Sequence, residues 1–252
     1  MAKKMNLHWA DSADNYSRII DDEFASFRPE KWKELILSQG PPSEQPWRVL
    51  DCGCGPGFFT IILSSAGCDV TGIDGCVEML DKAREKSARY GIETDLRVMD
   101  CQETEFESDT FDLIVSRNVT HALNFHRDTY REWLRILRPG GVLLIFDANW
   151  HLPRLPGPLQ DESRRRMAEC LRVYGSTFSD DSRRDDSTRP VEPEKEHILG
   201  DRIRPDWDLG LLEGVGFSDI TYDRDITEEL WDDKEKLLYG NTPMFMIRAV
   251  KG

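Results

Sequence analysis

The sequence has no run of eighteen apolar residues, roughly the least a membrane-crossing helix needs. Its first residues, Met-Ala-Lys-Lys-Met-Asn, lead to no apolar signal core. A membrane protein is disfavoured on both counts, and a soluble, cytoplasmic chain is expected. Positive charge is also scarce: 33 Lys and Arg stand against 47 Asp and Glu, for a net charge of −14 at pH 7. Proteins that track a phosphate backbone normally carry a basic face, so nucleic acid is a poor partner. A disulfide framework is missing as well. Cys52, Cys54, Cys68, Cys76 and Cys101 fall at predicted strand ends and Cys170 stands alone downstream, which suits a reducing compartment. Cys52-Gly-Cys54 is too tight for the CxxC pairs of a structural zinc site, so no metal is expected and the thiols read as small buried groups. No internal repeat is found. At 252 residues the chain can bury a full core, as one large domain or one with an elaborated cap.

Val49 to Gly57, Val-Leu-Asp-Cys-Gly-Cys-Gly-Pro-Gly, is the stretch around which the rest is arranged. An apolar run ends in a carboxylate and then in glycines at alternate positions, and the apolar segment Phe58 to Ala66 that follows reads as a buried helix. Gly53, Gly55 and Gly57 let the main chain approach a ligand without interference from Cβ. The free N–H groups at the helix start favour negative or polar ligand groups. A dinucleotide loop requires GxGxxG, whereas here the spacing is GxGxG and Phe58 occupies the place of the third glycine.

Asp51 followed by GxGxG resembles motif I of the class I S-adenosylmethionine (SAM)-dependent methyltransferases. The likeness continues in order. Asp69 to Asp74 reads as a second strand ending in an acid, at the distance where nucleotide-binding folds place the acceptor for the ribose hydroxyls. Thr94 to Asp100 reads as a third strand, Phe111 to Asn118 as a fourth, and Leu137-Arg138-Pro139-Gly140-Gly141 as the turn before a fifth, Val142 to Ala148. The resemblance covers roughly Trp47 to Asn149. It implies SAM as cofactor, with Asp51, Gly53, Cys54, Gly55, Gly57, Asp74 and its neighbour Gly75 around it and with Asp100 and Cys101 bordering the adenine. It implies, too, that residues just past the fourth strand face the methyl group: Arg117, Asn118, His121 and His126. Tyr16 loosely matches a tyrosine that relatives carry near the cofactor cleft, and a core tyrosine fits equally well.

The alternation of strands and helices predicts an α/β, doubly wound, mainly parallel sheet with its ligand crevice at the carboxyl ends of the strands. The resemblance makes this Rossmann-like with seven strands, and the break in the alternation after the fifth strand reads as an inserted cap. Residues 1–46 read as a helical arm and linker, with an amphipathic helix from Asp11 to Arg28 and a linker from Gln39 to Pro46. Residues 47–149 form the SAM-binding core, 150–205 the inserted substrate cap, and 206–252 the remainder of the sheet. Within the last part Trp207 to Glu213 reads as a helix, Ile220 to Asp225 as a strand, Glu228 to Leu238 as a helix and Met244 to Val250 as a strand. The cap contains a helix-like piece from Gln160 to Tyr174 and a polar tract, Ser179 to Glu196, expected to be mobile. Trp150, His151, Arg154, Arg164 to Arg166 and Tyr174 are its candidate wall and anchor for a polar or anionic substrate.

The expected activity is in-line methyl transfer to an O, N or S nucleophile of a small molecule. Proximity does most of the work and a base is optional. His121 is the candidate base, since imidazole titrates near neutrality; a structural histidine is the plainer alternative for it and for His151. A SAM-binding scaffold without turnover and an NAD-linked oxidoreductase are the other readings. Intact Asp51, Asp74 and Asp100 weigh against the first, and the GxGxG spacing against the second. Homodimerisation is left open.

Overall fold

The structure, a computed structural model, describes residues 2–42, 44, 46–177 and 199–252. The polar tract from Ser179 to Glu196 lies outside them. In chain order the elements are α1 (Ala2–Phe24), α2 (Arg28–Gln39), β1 (Arg48–Cys52), α3 (Phe58–Ser65), β2 (Asp69–Asp74), α4 (Val77–Tyr90), β3 (Asp95–Val98), β4 (Phe111–Arg117), α5 (His126–Ile136), β5 (Leu137–Asp147), α6 (Pro158–Tyr174), α7 (Asp206–Val215), β6 (Phe217–Asp223), α8 (Thr227–Leu230), α9 (Asp233–Tyr239) and β7 (Phe245–Lys251). Short 3₁₀ turns, Thr120–Ala122 and Leu152–Arg154, follow β4 and β5.

The strands form one seven-stranded sheet in the order β3-β2-β1-β4-β5-β7-β6. Pairing is parallel from β3 to β5 and antiparallel at β7 and β6. Parallel strands with helices on both faces are buried on both sides and read as continuous apolar runs. Alternation then decides which face each residue serves. Leu113, Val115, Val142, Leu144 and Phe146 pack with Trp32, Phe58, Phe59 and Ile62 from α2 and α3. Ile114, Leu143 and Ile145 pack on the other face with Tyr130, Trp133 and Ile136 from α5 and with Leu212 from α7. Tyr130, Trp133 and Ile136 recur at intervals of three and are all fully buried, the inward stripe of a surface helix. The chain changes direction across the sheet between β1 and β4, and in such folds the ligand crevice opens at that point, outside the carboxyl ends of the strands.

The N-terminal arm differs from the sequence expectation. It is two helices rather than one, because Pro29 sits at the start of α2 and Trp32 and Ile36 bury its inner face. The α1 helix is tied across to α4 by a seam of charge. The buried Lys86 ammonium meets Asp21 at 2.7 Å and the Ser17 carbonyl at 3.0 Å, while Arg89 reaches Asp21 and Lys82 reaches Asp14, both at 2.9 Å. The helix expected over Glu228 to Leu238 is also two. Asp232 breaks it by capping α9 in a capping box: its carboxylate accepts from the Glu235 N–H at 2.8 Å, and Glu235 accepts from the Asp232 N–H at 3.0 Å. Strand β6 starts at Phe217, three residues before the expected Ile220. Among the described residues no helix is long and apolar enough to cross a membrane, and no cluster of His, Cys, Asp or Glu has the arrangement of a metal site.

Candidate active site

Two buried acids shape the glycine loop. Past β1, the N–H groups of Gly53 and Cys54 both donate to the Ile73 carbonyl, at 2.8 and 2.9 Å. Asp74, at the end of β2, accepts from the Gly55 N–H at 2.9 Å and from the Cys76 N–H at 2.8 Å, which staples the loop to the second strand. Asp51 accepts from both the N–H and the hydroxyl of Thr60, at 2.9 and 2.7 Å, and so fixes the first turn of α3. Gly53, Gly55 and Gly57 all have positive φ, 70°, 50° and 85°, the left-handed region that glycine enters freely. At Gly53 space is a second constraint, because a Cβ would fall 2.4 Å from a methyl of Val119.

Burial works on these acids. It raises Asp74 despite the hydrogen bonds from Cys76 and Gly55, and it pushes Asp51 up to about 6 against the opposing hydrogen bonds of Thr60. A carboxyl with a higher pKa folded than unfolded holds its proton more tightly in the folded chain. Its contribution to stability is therefore present below about pH 4 and is lost as the pH rises through about 6. The change from 3.8 to about 6 corresponds to about 3 kcal/mol. Urea unfolding at a series of pH values should show this loss in the parent and not in Asp51→Asn; superimposable pH profiles would rule out Asp51 as its source.

In front of the loop lies a cavity of about 950 Å³. At one end it is lined by Gly53, Gly55, Asp74, Gly75, Met79, Asp100, Cys101 and Leu123. The Trp133 indole donates to the Cys101 carbonyl at 2.8 Å, and Gln102 accepts from the N–H groups of Asn124 and Phe125, which holds this wall in place. Asp51, Cys54 and Gly57 are buried behind the surface and do not line the cavity. They shape the loop from the rear, Gly57 because a Cβ there would sit 3.0 Å from Ala83. Over the cavity lies α1, which contributes Trp9, Tyr16, Ile19 and Glu23.

The other end is aromatic and charged. Trp150, Trp231 and Tyr239 form a contiguous wall with ring centroids 5.3 to 6.4 Å apart. The Trp150 indole donates to Asn118 at 3.1 Å. Arg117 pairs with Glu23 at 2.8 Å, both largely buried, and its guanidinium lies 4.7 Å from the centroid of Phe58 and 5.0 Å from that of Phe59. Arg28 is shared by Glu235 and by Asp232, the latter at 2.9 Å, so this corner carries one net negative charge. Arg154 also lines the cavity, and its side chain has no ion-pair or hydrogen-bond partner among the described residues.

His121 stands between the two ends, in the 3₁₀ turn after β4. Its Nδ1 lies 3.0 Å from Asp147 at the end of β5. The fully buried Asp147 carboxylate also accepts from the Thr120 hydroxyl, the His121 N–H and Arg204. Burial alone would raise its pKa, but His121, Arg204 and the hydrogen bonds outweigh that and hold it well below the usual carboxylate range. An ionised acceptor at Nδ1 favours the tautomer with the proton there, which leaves Nε2 as the acceptor of the ring. Arg204 is fully buried between Asp147 and Asp208, and removing one partner from such a group costs about 3–5 kcal/mol.

Other sequence candidates lie elsewhere. His126 is buried against the Thr120 carbonyl at 2.7 Å and is pushed down to about 4 by burial and by Arg204, so it is neutral and faces away from the cavity. His151 is buried and bonds to the Arg202 carbonyl at 3.1 Å. Arg164 and Arg165 point to solvent, paired with Asp161 and Glu162, and Arg166 caps the carbonyl end of α9. Neither they nor the exposed Tyr174 line the cavity, which corrects their expected place in the substrate wall. Glu23, Trp231 and Glu235, which read as ordinary helix residues, carried no signal in the sequence, and neither did Tyr239 or Arg204. Asp147 did leave a signal, an acid closing an apolar strand.

Residues 50–145 match the family described as a methyltransferase domain. A phosphatidylethanolamine N-methyltransferase of Cereibacter sphaeroides is 34% identical over 144 residues, 52% of this chain and 69% of the relative. The chain belongs to the class I SAM-dependent methyltransferases. This methyltransferase is also 28% identical over 245 residues to a glycine/sarcosine N-methyltransferase of Aphanothece halophytica, 88% of this chain and 87% of that one. A solved structure of Haemonchus contortus phosphoethanolamine N-methyltransferase 2, in complex with phosphomonomethylethanolamine and S-adenosylhomocysteine, shares the fold. Its TM-score is 0.57 at 20% identity, covering 88% of this chain and 52% of that one. The cofactor of this methyltransferase is SAM. The bare glycine backbone, the acid at the end of β2 and the open cavity before them fit it.

Proposed function

We propose that the enzyme methylates the nitrogen of a small amine that also carries an acid group. The carrying observation is a single cavity that joins the glycine loop to an aromatic, acid-bearing wall, with His121 at the junction. Gly53, Gly55, Asp74, Gly75, Asp100 and Cys101 would hold the cofactor, Asp74 through the ribose hydroxyls, with Tyr16 and Arg117 near the reacting end. When bound, SAM supplies an already activated methyl group.

His121 takes the proton that the amine gives up, on Nε2, while Asp147 holds the ring. Aromatic faces attract ammonium groups by cation–π interaction. Trp150, Trp231 and Tyr239, beside the net negative corner at Arg28, supply that environment and suit a methylated ammonium product. Arg154, which lines the cavity and has no side-chain partner among the described residues, supplies a cation for a carboxylate or phosphate. The N-methyltransferases among the relatives support an amine over an oxygen or sulfur nucleophile.

The excursion from Trp150 to Pro205 acts as the substrate cap. Trp150 and Arg154 reach the cavity from it. Its two ends are pinned together by a pair of hydrogen bonds between Asn149 and the Arg204 backbone, both 2.9 Å, and by His151 to Arg202. Six free thiols, five of them buried, support a cytoplasmic location.

Labelled methyl transfer from SAM across a panel of small amines, hydroxy acids and thiols tests the substrate class. Label is expected on amines bearing a carboxylate or phosphate. Arg154→Ala should raise KM for these about tenfold, the scale of one charge-assisted hydrogen bond, and leave kcat and SAM affinity as in the parent. Transfer to acids or thiols lacking an amine, with none to amines, would overturn the assignment.

A further inference from the structure

We infer that Arg204 is a positioning residue which, together with Asp208, sets the orientation and the protonation of His121 from behind. The inference rests on the reading of His121 as proton acceptor. Arg204 lies far from β4 in sequence, yet its guanidinium divides its donors among the groups that hold the imidazole. Nε donates to Asp208 at 2.7 Å and Nη2 to the same carboxylate at 3.1 Å; Nη2 also reaches the Thr120 hydroxyl at 2.6 Å, and Nη1 reaches Asp147 at 3.1 Å. Asp147 in turn spends one oxygen on the Thr120 hydroxyl and the His121 N–H, and the other on the His121 ring and the Ala148 N–H. None of Thr120, Asp147 and Asp208 has any exposed surface, and Arg204 is 2% exposed. Only a planar, forked donor can clamp one carboxylate with two donors and still span to a second. A lysine ammonium in the same place carries the charge without the fork.

The charge arithmetic around His121 is simple. Arg204 is one positive charge and Asp147 and Asp208 are two negative ones, so the buried cluster behind the ring is net negative by one. Among the described residues, the titratable groups from α5 and from the cavity side that act on it are neutral or cancel. From α5, Tyr130 donates its hydroxyl to Asp208 and is raised well beyond titration, chiefly by burial, and His126 is held neutral. From the cavity side come Tyr16, raised by burial, and the Arg117–Glu23 pair, which sums to zero. Arg204 and Asp208 are thus the two charges by which the cluster sets how readily His121 takes a proton. Because the Arg204 backbone is also bonded to Asn149, the same residue ties the exit of the cap to the base.

Replacing Arg204 by an apolar residue would leave two buried carboxylates unneutralised and invites misfolding, so the test uses Asp208→Asn and Arg204→Lys. The readouts are the NMR titration of the His121 ring, identified among the five histidines by its loss in His121→Gln, and the dependence of kcat on pH. In Asp208→Asn one negative charge is gone, and both the His121 titration and the acid limb of kcat should move down by about one pH unit. In Arg204→Lys the charge stays and the fork is lost. The titration should then stay near that of the parent while kcat falls about tenfold at unchanged KM. A His121 titration unmoved in Asp208→Asn, or parental kcat in Arg204→Lys, would overturn the inference while leaving His121 as the base. Parental rate in His121→Gln would instead remove the base itself, and the inference with it, whatever the NMR titration shows.

Discussion

His121→Gln is expected to lower kcat by about 10²- to 10⁴-fold, the usual contribution of a positioned general base, with SAM affinity unchanged. The ring is held at Nδ1 by an acid whose pKa lies well below the usual carboxylate range, and it lines the cavity shared by the glycine loop and the aromatic wall. Glutamine keeps a polar side chain there but cannot take a proton. Only neutral imidazole accepts one, so the parent rate should show an acid limb. That acid limb should be absent from whatever activity the variant retains. A variant with the parent rate and the parent profile would mean that methyl transfer runs on proximity alone.

The fold and the glycine-loop end of the cavity were legible because their signals are local. β4 and β5 are buried on both faces and so appear as unbroken apolar runs, and Gly53 and Gly55 stand where a positive φ admits little else. Asp74 closes its strand at a recognisable distance from the loop. Some local signals were available and passed over. Pro29 ahead of Trp32 and Ile36 marks the start of α2, and Asp232 three residues before Glu235 is a capping signature that divides α8 from α9. Part of the aromatic, charged end was illegible for a different reason. Glu23 finds Arg117 across 94 residues, Arg28 finds Glu235 across 207, and Arg204 finds Asp147 across 57. Seen in its own helix or loop, each of Glu23, Arg28, Glu235 and Arg204 has the pattern of a solvated charge. Only the assembled sheet brings it under cover, where an unpaired charge would be costly and its partner becomes obligatory.

Asp74 carries the central claim, that the glycine loop and the second strand form the SAM site. Its two oxygens already accept from Gly55 and Cys76, and a carboxylate has lone pairs left for a pair of hydroxyls. On that claim Asp74→Ala removes a ligand group together with the staple that keeps the loop against β2. The loss should amount to about 1.5 to 3 kcal/mol, a weakening of SAM binding of about 10- to 150-fold. Calorimetric titration of SAM into the parent and into folded Asp74→Ala measures this directly. One site per chain in the parent and the stated weakening in the variant is the predicted result; equal affinity in both would take Asp74 out of the site, and no SAM binding by the parent would contradict the account as a whole.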